Sequence, residues 1–337
     1  MATLSDIAAR AECSVNLVSY VLHKKTPPTK EKHREILRIA NELGYVSNRV
    51  ASALVTGRTN NLTLIIGSDY RSTISNVFFS VFMYELTSQL TKEGIGLTLY
   101  ASDGEQDELE NIVLNGMTDG VMWYMKRPSV YLNERMSAIG LPSLSIYVPD
   151  VQAASLEKEG ADFITVDDYS SEYEMVSYLY EKGHRRIVFV GSEDSSRFRA
   201  YSDFCKEHSL EILPNIPAGR NSFKNRRLLE EYIAKYGLDF TAMVCVTDEV
   251  AISMLWLLDG MGYKVPDDVS VVGYDDIPDA KLSSPPLTTI HHNCEEVAKY
   301  AKDYFVKKRS GEGDSQPMRL IFTQSVVERS SVSSIQE

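Results

Sequence analysis

Cysteine is scarce in this chain, with four residues in 337. Cys13, Cys205, Cys245 and Cys294 stand far apart and form no CxxC. Buried thiols in a reducing compartment are therefore expected, not a disulfide framework or a zinc site. Long apolar runs are missing too, and no stretch nears the roughly 20 residues that span a bilayer. The opening MATLSDIAAR has neither a basic start nor an apolar signal core, so the expectation is a mature cytoplasmic protein with no membrane partner. Equally absent are GxGxxG after a strand, a P-loop, HExxH and GxSxG. TDE (247–249) and YDD (274–276) follow separate strands and do not read as a metal site. His291-His292 reads as a hydrogen-bonding pair. No enzyme, catalytic residue, cofactor or metal is expected.

Basic residues are the minority charge, 35 against 47 acidic, for a net −12. Taken whole, such a chain is a poor partner for a polyanion. The deficit is uneven, however. Residues 1–60 hold nine Lys and Arg and five Asp and Glu, about +4, which leaves 26 and 42, about −16, for the rest. A basic head on an acidic body suits a protein that offers one end to phosphates.

The head carries helix punctuation. TLSD (3–6) is a capping-box pattern, and Ile7, Ala8 and Ala11 share the face that follows it. Glu12-Cys13-Ser14 breaks the chain, and Ser14 can cap a second helix. There Val18, Val21 and Leu22 form an apolar face, and Val15, Asn16, Ser19 and Tyr20 the opposite one. Pro27-Pro28 stops the chain and Thr29 caps a third helix, striped by Ile36, Ile39, Ala40 and Leu43 and ended by Gly44. Two short helices braced by a third describe a helix-turn-helix. The outward face of the second helix is short-chained and polar, not simply charged, and Asn16 has the geometry to pair with adenine.

These residues, DIAARAECSVNLVSYVLH and then ELGYVSNRVASAL, resemble the LacI/GalR family of bacterial transcription repressors. The resemblance implies a DNA-binding head at 1–47, a hinge helix and linker at 48–60, and a two-lobed effector-binding and dimerisation domain at 61–337. Implied DNA contacts are Thr3, Ser14, Val15, Asn16, Ser19 and Tyr20 in the head, and Asn48, Arg49, Ala51 and Leu54 in the hinge. NRVASALVTG then folds on docking and lies in the minor groove, with Leu54 as wedge and small residues such as Ala51 allowing two copies to approach. Two departures stand out. Leu17-Val18-Ser19-Tyr20 replaces the family's Thr-Val-Ser-Arg, which removes a guanine-reading fork typically worth ~1–3 kcal/mol. Glu12 also stands where the family has a turn glycine. The operator is expected to differ where that arginine would read.

From residue 62 onward strands and helices alternate. LTLIIG is a strand, 78–94 a helix closed by Gly94, IGLTLYA a strand, and the pattern runs on through RRIVFVG, AMVCV and VSVVGYDD to TTIHH and a final strand MRLIFTQSVVERSS. Such alternation predicts doubly wound parallel sheets. Two sets suggest two α/β lobes of periplasmic-binding-protein type behind the all-α head. The expected division is about 61–160 plus 291–318, and about 161–290 plus 319–330. GHRRIVFVG, RFRAY, TDEVAISML, VPDDVSVVGYDDIPDAKLSSPPLTTI and VVERSS extend the LacI/GalR resemblance over nearly the whole chain.

Ligands of such sheets sit beyond the carboxyl ends of the strands. Arg197 follows one strand and Asp275 another, and the resemblance implies effector contacts at both. Each also has a plainer reading, Arg197 as a surface arginine at a helix start and Asp275 as the cap of the DDIPD turn. Thr247 and Tyr147 fall on further effector positions, where the family has other polar residues. Phe79 lies near a first-lobe aromatic position, and Phe223 or Arg220 takes a place from the second lobe. The expected ligand is a sugar or sugar phosphate, with a nucleobase or nucleoside as the alternative. Phe78, Phe79, Val81, Phe82, Met83, Tyr84 and Leu86 exceed what one buried face needs, which points to a subunit interface. A homodimer on a near-palindromic double-stranded operator is expected, and VSSIQE has no leucine heptad for a tetramer.

Overall fold

The computed structural model describes residues 2–23, 31–45, 53, 57–67, 73–102, 104–219, 222–311 and 316–335. The chain divides into two compact units, Met1–Thr59 and Asn60–Glu337.

The first unit is helical. Helix α1 (Leu4–Arg10) starts with the expected capping box, in which Thr3 Oγ1 accepts from Asp6 N and Thr3 N donates to Asp6 Oδ2 at 2.7 Å. Glu12 makes the turn at φ 47°, the left-handed region that favours glycine. Helix α2 (Val15–His23) follows, with Ser14 Oγ accepting from Leu17 N. Helix α3 (Glu31–Glu42) is followed by Gly44 at φ 61°. Ile7, Ala8, Ala11, Val18, Val21, Ile36, Ile39 and Ala40 form one buried cluster. These are the expected stripes, except that Leu22 and Leu43 remain half-buried. The cap expected at Thr29 lies outside the described residues.

The second unit contains two parallel sheets. In the first lobe β1 (Asn61–Ile66), β2 (Gly96–Ala101), β3 (Val121–Tyr124), β4 (Ser143–Ile146), β5 (Phe163–Val166) and a late strand β10 (Arg319–Phe322) stand in the order β10-β5-β4-β3-β1-β2. Its helices are α4 (Val77–Lys92), α5 (Gln106–Val113), α6 (Val130–Ala138), α7 (Asp150–Lys158) and α13 (Cys294–Ser310). The second lobe holds β6 (Ile187–Val190), β7 (Ala242–Cys245) and β8 (Ser270–Val272), with α8 (Asp168–Glu181), α9 (Ser196–Glu207), α10 (Ser222–Tyr236), α11 (Asp248–Gly260) and α12 (Pro278–Leu282). β9 (Thr289–His291) and β11 (Ser325–Val327) pair antiparallel beside it. Every residue of β3, β6 and β7 is buried, which is why they read as continuous apolar runs.

Two expectations are corrected here. β5 and β10 pair with each other and β5 with β4, so 163–166 and 319–322 belong to the first lobe, beyond the boundaries at 160 and 318. The last strand is also two strands. β10 and β11 lie in different sheets, and Gln324 sits in the break between them. The chain thus passes between lobes at β5–α8, β9–α13 and β10–β11.

Candidate effector cleft and DNA-reading face

Backbone strain gathers where the strands of both lobes end. Met125 (φ 52°), Tyr147 (φ 55°), Asp275 (φ 121°) and Asp276 (φ 53°) all lie just beyond the carboxyl ends of β3, β4 and β8. Non-glycine residues held there cost on the order of 1–3 kcal/mol each and tend to mark functional positions.

Arg197 is the second residue of α9, whose N-cap Ser195 accepts from Phe198 N. Its side chain is not on the surface, being 14% exposed. The guanidinium lies 3.4 Å from the centre of the Tyr274 ring, pairs with Asp168 Oδ1 at 3.1 Å, and donates through Nη1 to the Val246 carbonyl. Burial opposes its charge, yet Asp168, Tyr274, Asp275 and Glu172 together outweigh it and the pKa is raised. Burial likewise opposes the Asp168 carboxylate, while Arg197 holds it below its usual value.

Asp275 does not cap the DDIPD turn. Its neighbour Asp276 holds His291 Nδ1 at 2.8 Å and Arg329, and Asp248 receives the Ile277 N–H at 2.9 Å. Asp275 is 8% exposed, and His292 Nε2 stands 3.6 Å from its Oδ1. Burial pushes its pKa well above the carboxylate range. The same burial lowers His292 to about 3, which makes it a neutral imidazole at any ordinary pH.

The three lobe crossings meet here. Asp168 on the first accepts from Tyr274 Oη at 2.8 Å. Gln324 on the third accepts from Tyr274 Oη and from Ser171 Oγ, each at 2.8 Å, and its amide contacts the His292 ring on the second at 2.8–2.9 Å. Asp168, Glu172, Tyr274 and Gln324 were missed in the sequence, and His292 was placed only as a hydrogen-bonding residue. A polar Gln interrupting an apolar strand pattern was the available signal.

The other implied effector residues lie differently. Thr247 is half-buried and its hydroxyl caps α11, accepting from Val250 N at 3.3 Å; it neighbours the carbonyl that takes Arg197. Tyr147 is buried, with its ring edge-on to Phe78 and Phe82 and its hydroxyl toward Cys294 Sγ at 3.7 Å. Its electrostatic reach includes Asp275. Phe79 is not an open platform. It is buried against Tyr124 with ring centres 4.8 Å apart, whereas Phe78 is the ring that meets His292, at 4.6 Å. Phe223 is 89% exposed on the first turn of α10 and is not brought to this cluster. Arg220 lies outside the described residues.

On the head, Val15 and Tyr20 are 41% and 55% exposed, Asn16 is exposed and Ser19 half-buried, while Val18 and Val21 face the core. Thr3 and Ser14 serve as caps. Asn48, Arg49, Ala51 and Leu54 lie outside the described residues. Ala53 is described, and its carbonyl accepts from Gly57 N at 2.8 Å, an i to i+4 bond.

Known proteins share this layout. Residues 176–332 match the family described as a periplasmic binding protein-like domain. The HTH-type transcriptional repressor PurR of Histophilus somni is 24% identical over 346 residues, 98% of this chain and 99% of its own. The lac repressor dimer bound to operator and the anti-inducer ONPF aligns with TM-score 0.79 at 20% identity, over 98% of this chain and 99% of that one. The CelR–cellobiose complex aligns with TM-score 0.66 at 22% identity, over 98% and 100%. Over nearly its whole length this chain is similar to LacI-type regulators. The likeness in fold extends over both sheets and the three crossings. No described helix is long and apolar enough to cross a membrane, and no described group of His, Cys, Asp and Glu is arranged to hold a metal ion.

Proposed function

We propose that this LacI-type protein is a transcription repressor that binds a near-palindromic operator as a cytoplasmic homodimer and is controlled by a small ligand held between its lobes. The observation that carries the reading is the network in which one buried guanidinium and all three crossings are joined. A ligand that prefers one lobe arrangement shifts the equilibrium between arrangements through such a network. A sugar is favoured over a nucleobase because the cluster is polar, and the described rings offer it no open face. Phe79 is in the core, and Tyr274 is covered by Arg197.

Of the residues the sequence suggested for the dimer, Tyr84 is the exposed one. Phe78, Phe79, Phe82 and Leu86 are buried inside the first lobe, so the apolar excess of α4 is mostly internal. Tyr84 on α4, Trp256 on α11 and Leu282 on α12 are 69%, 72% and 82% exposed. Apolar side chains that together form one contiguous surface patch, unlike single ones, mark an interface.

Selection of bound sequences from a random duplex pool tests the reading. The intact protein is expected to enrich a palindrome with a flexible central step, and Leu54→Ala to weaken it. If the intact protein enriches nothing, with or without sugars, the repressor assignment fails.

A further inference from the structure

The cleft holds more hydrogen-bond acceptors than donors to match them. Both ends of the Arg197 fork are engaged, by Asp168 at 3.1 Å and by the Val246 carbonyl. The Tyr274 hydroxyl and the Gln324 amide are also engaged. Asp275 differs. Among the described residues no donor lies within hydrogen-bond distance of its carboxylate, and the neutral His292 at 3.6 Å is the nearest ring nitrogen. Glu172 stands one turn beyond Asp168 on α8, is 1% exposed, and its Oε1 has no partner. Arg197 lies within electrostatic reach of Asp168, Asp275 and Glu172 together, so one cation faces three carboxyls. Burial pushes Glu172 up to about 8 and Asp275 well above its ordinary range. A carboxyl denied both water and a partner favours its proton, and a cation placed beside it favours the carboxylate again.

Resting on the sugar reading above, we propose that the effector is cationic, a small hydroxylated amine such as an amino sugar, with Asp275 and Glu172 as the groups that select its ammonium. An ammonium brings three donors and the positive charge the cluster lacks, and charge-assisted bonds to carboxylates are the stronger kind. A neutral sugar brings donors without the charge. A sugar phosphate brings a further anion to a site whose guanidinium is already paired.

The test is calorimetric titration and thermal shift of the full-length protein at neutral pH with three matched sets. These are glucosamine, galactosamine and mannosamine, their 2-hydroxy parents, and the parents' 6-phosphates. One amine is expected to bind at least about tenfold tighter than its parent, and the phosphates to give no shift. Asp275→Asn is expected to erase the preference, and Glu172→Gln to reduce it, which covers the case that the first variant misfolds. A parent sugar or phosphate that binds as tightly as the amine overturns the proposal, as does silence from all three amines. Operator binding is measured on the same samples. Intact operator binding without an amine preference overturns the charge assignment alone, whereas loss of both overturns the repressor reading.

Discussion

At the residue scale, Glu172 carries a pH dependence whose sign follows from its burial. Its folded pKa of about 8 lies above the ordinary 4.5. The folded state therefore favours the proton, and the stability this lends is complete below about pH 4.5 and lost as pH rises through about 8. Glu172→Gln should remove that loss. Melting curves across this range are expected to show the variant above the native protein near pH 8 and converging with it near pH 5. Parallel curves would contradict the burial. Tyr20 supports a second prediction at this scale. It is exposed on α2 where the LacI-type arginine would stand. Tyr20→Arg should add guanine preference at one position of each half-site, by ~1–3 kcal/mol. Repeating the sequence selection with this variant measures it, and an unchanged site would mean that α2 does not read the groove from this face.

At the element scale, the β8–α12 turn depends on a close approach. A Cβ on Gly273 would stand 2.2 Å from Asp248 Oδ1 and 2.7 Å from a Leu287 methyl. Asp248 cannot yield easily, because Thr289 Oγ1 and Ile277 N both hold it, at 2.5 and 2.9 Å. Gly273→Ala is therefore expected to cost about 1–3 kcal/mol, the usual range for overpacking, read as a lowered denaturation midpoint. The same residue explains why TDE and YDD stand near one another: Asp248 ties α11 to the turn that presents Asp275 and gathers no metal set. Packing also corrects the sequence reading of α4, where one helix buries five phenylalanine and leucine side chains against its own lobe and leaves Tyr84 outside.

On the scale of the whole molecule, Gln324 joins what the sequence keeps far apart. It lies 153 residues from Ser171, 50 from Tyr274 and 32 from His292, and touches all three. Each crossing thus contributes a group to one buried network. Gln324→Leu removes both its acceptor and its donor, while Ser171 keeps the Asp167 carbonyl and Tyr274 keeps Asp168, so each lost bond costs about 0.5–1.5 kcal/mol. Faster amide hydrogen exchange is expected at β9, β11 and the start of α8, with the core of the first sheet unchanged. Operator affinity should also lose its response to whichever sugar the native protein binds. Local exchange confined to residue 324 would show that the crossings move independently.

The sequence alone determined the class of the molecule. Capping at Thr3 and Ser14, the helical stripes of the head, and the alternation of apolar strands with amphipathic helices are local patterns, set by periodicities that a single segment displays. That Arg197 and Asp275 stand beyond strand ends was legible for the same reason, since RRIVFVG and VSVVG are recognisable strands. What only the tertiary structure decided is how distant segments share one site. Whether Phe79 faces a cleft or the core, whether Asp275 or Asp276 caps a turn, and whether MRLIFTQSVV is one strand or two depend on partners far along the chain. So does the fate of Glu172, whose buried place among carboxyls no local pattern records. Charge balance in a cleft is a sum over groups brought together by folding, and it does not exist until the crossings have met.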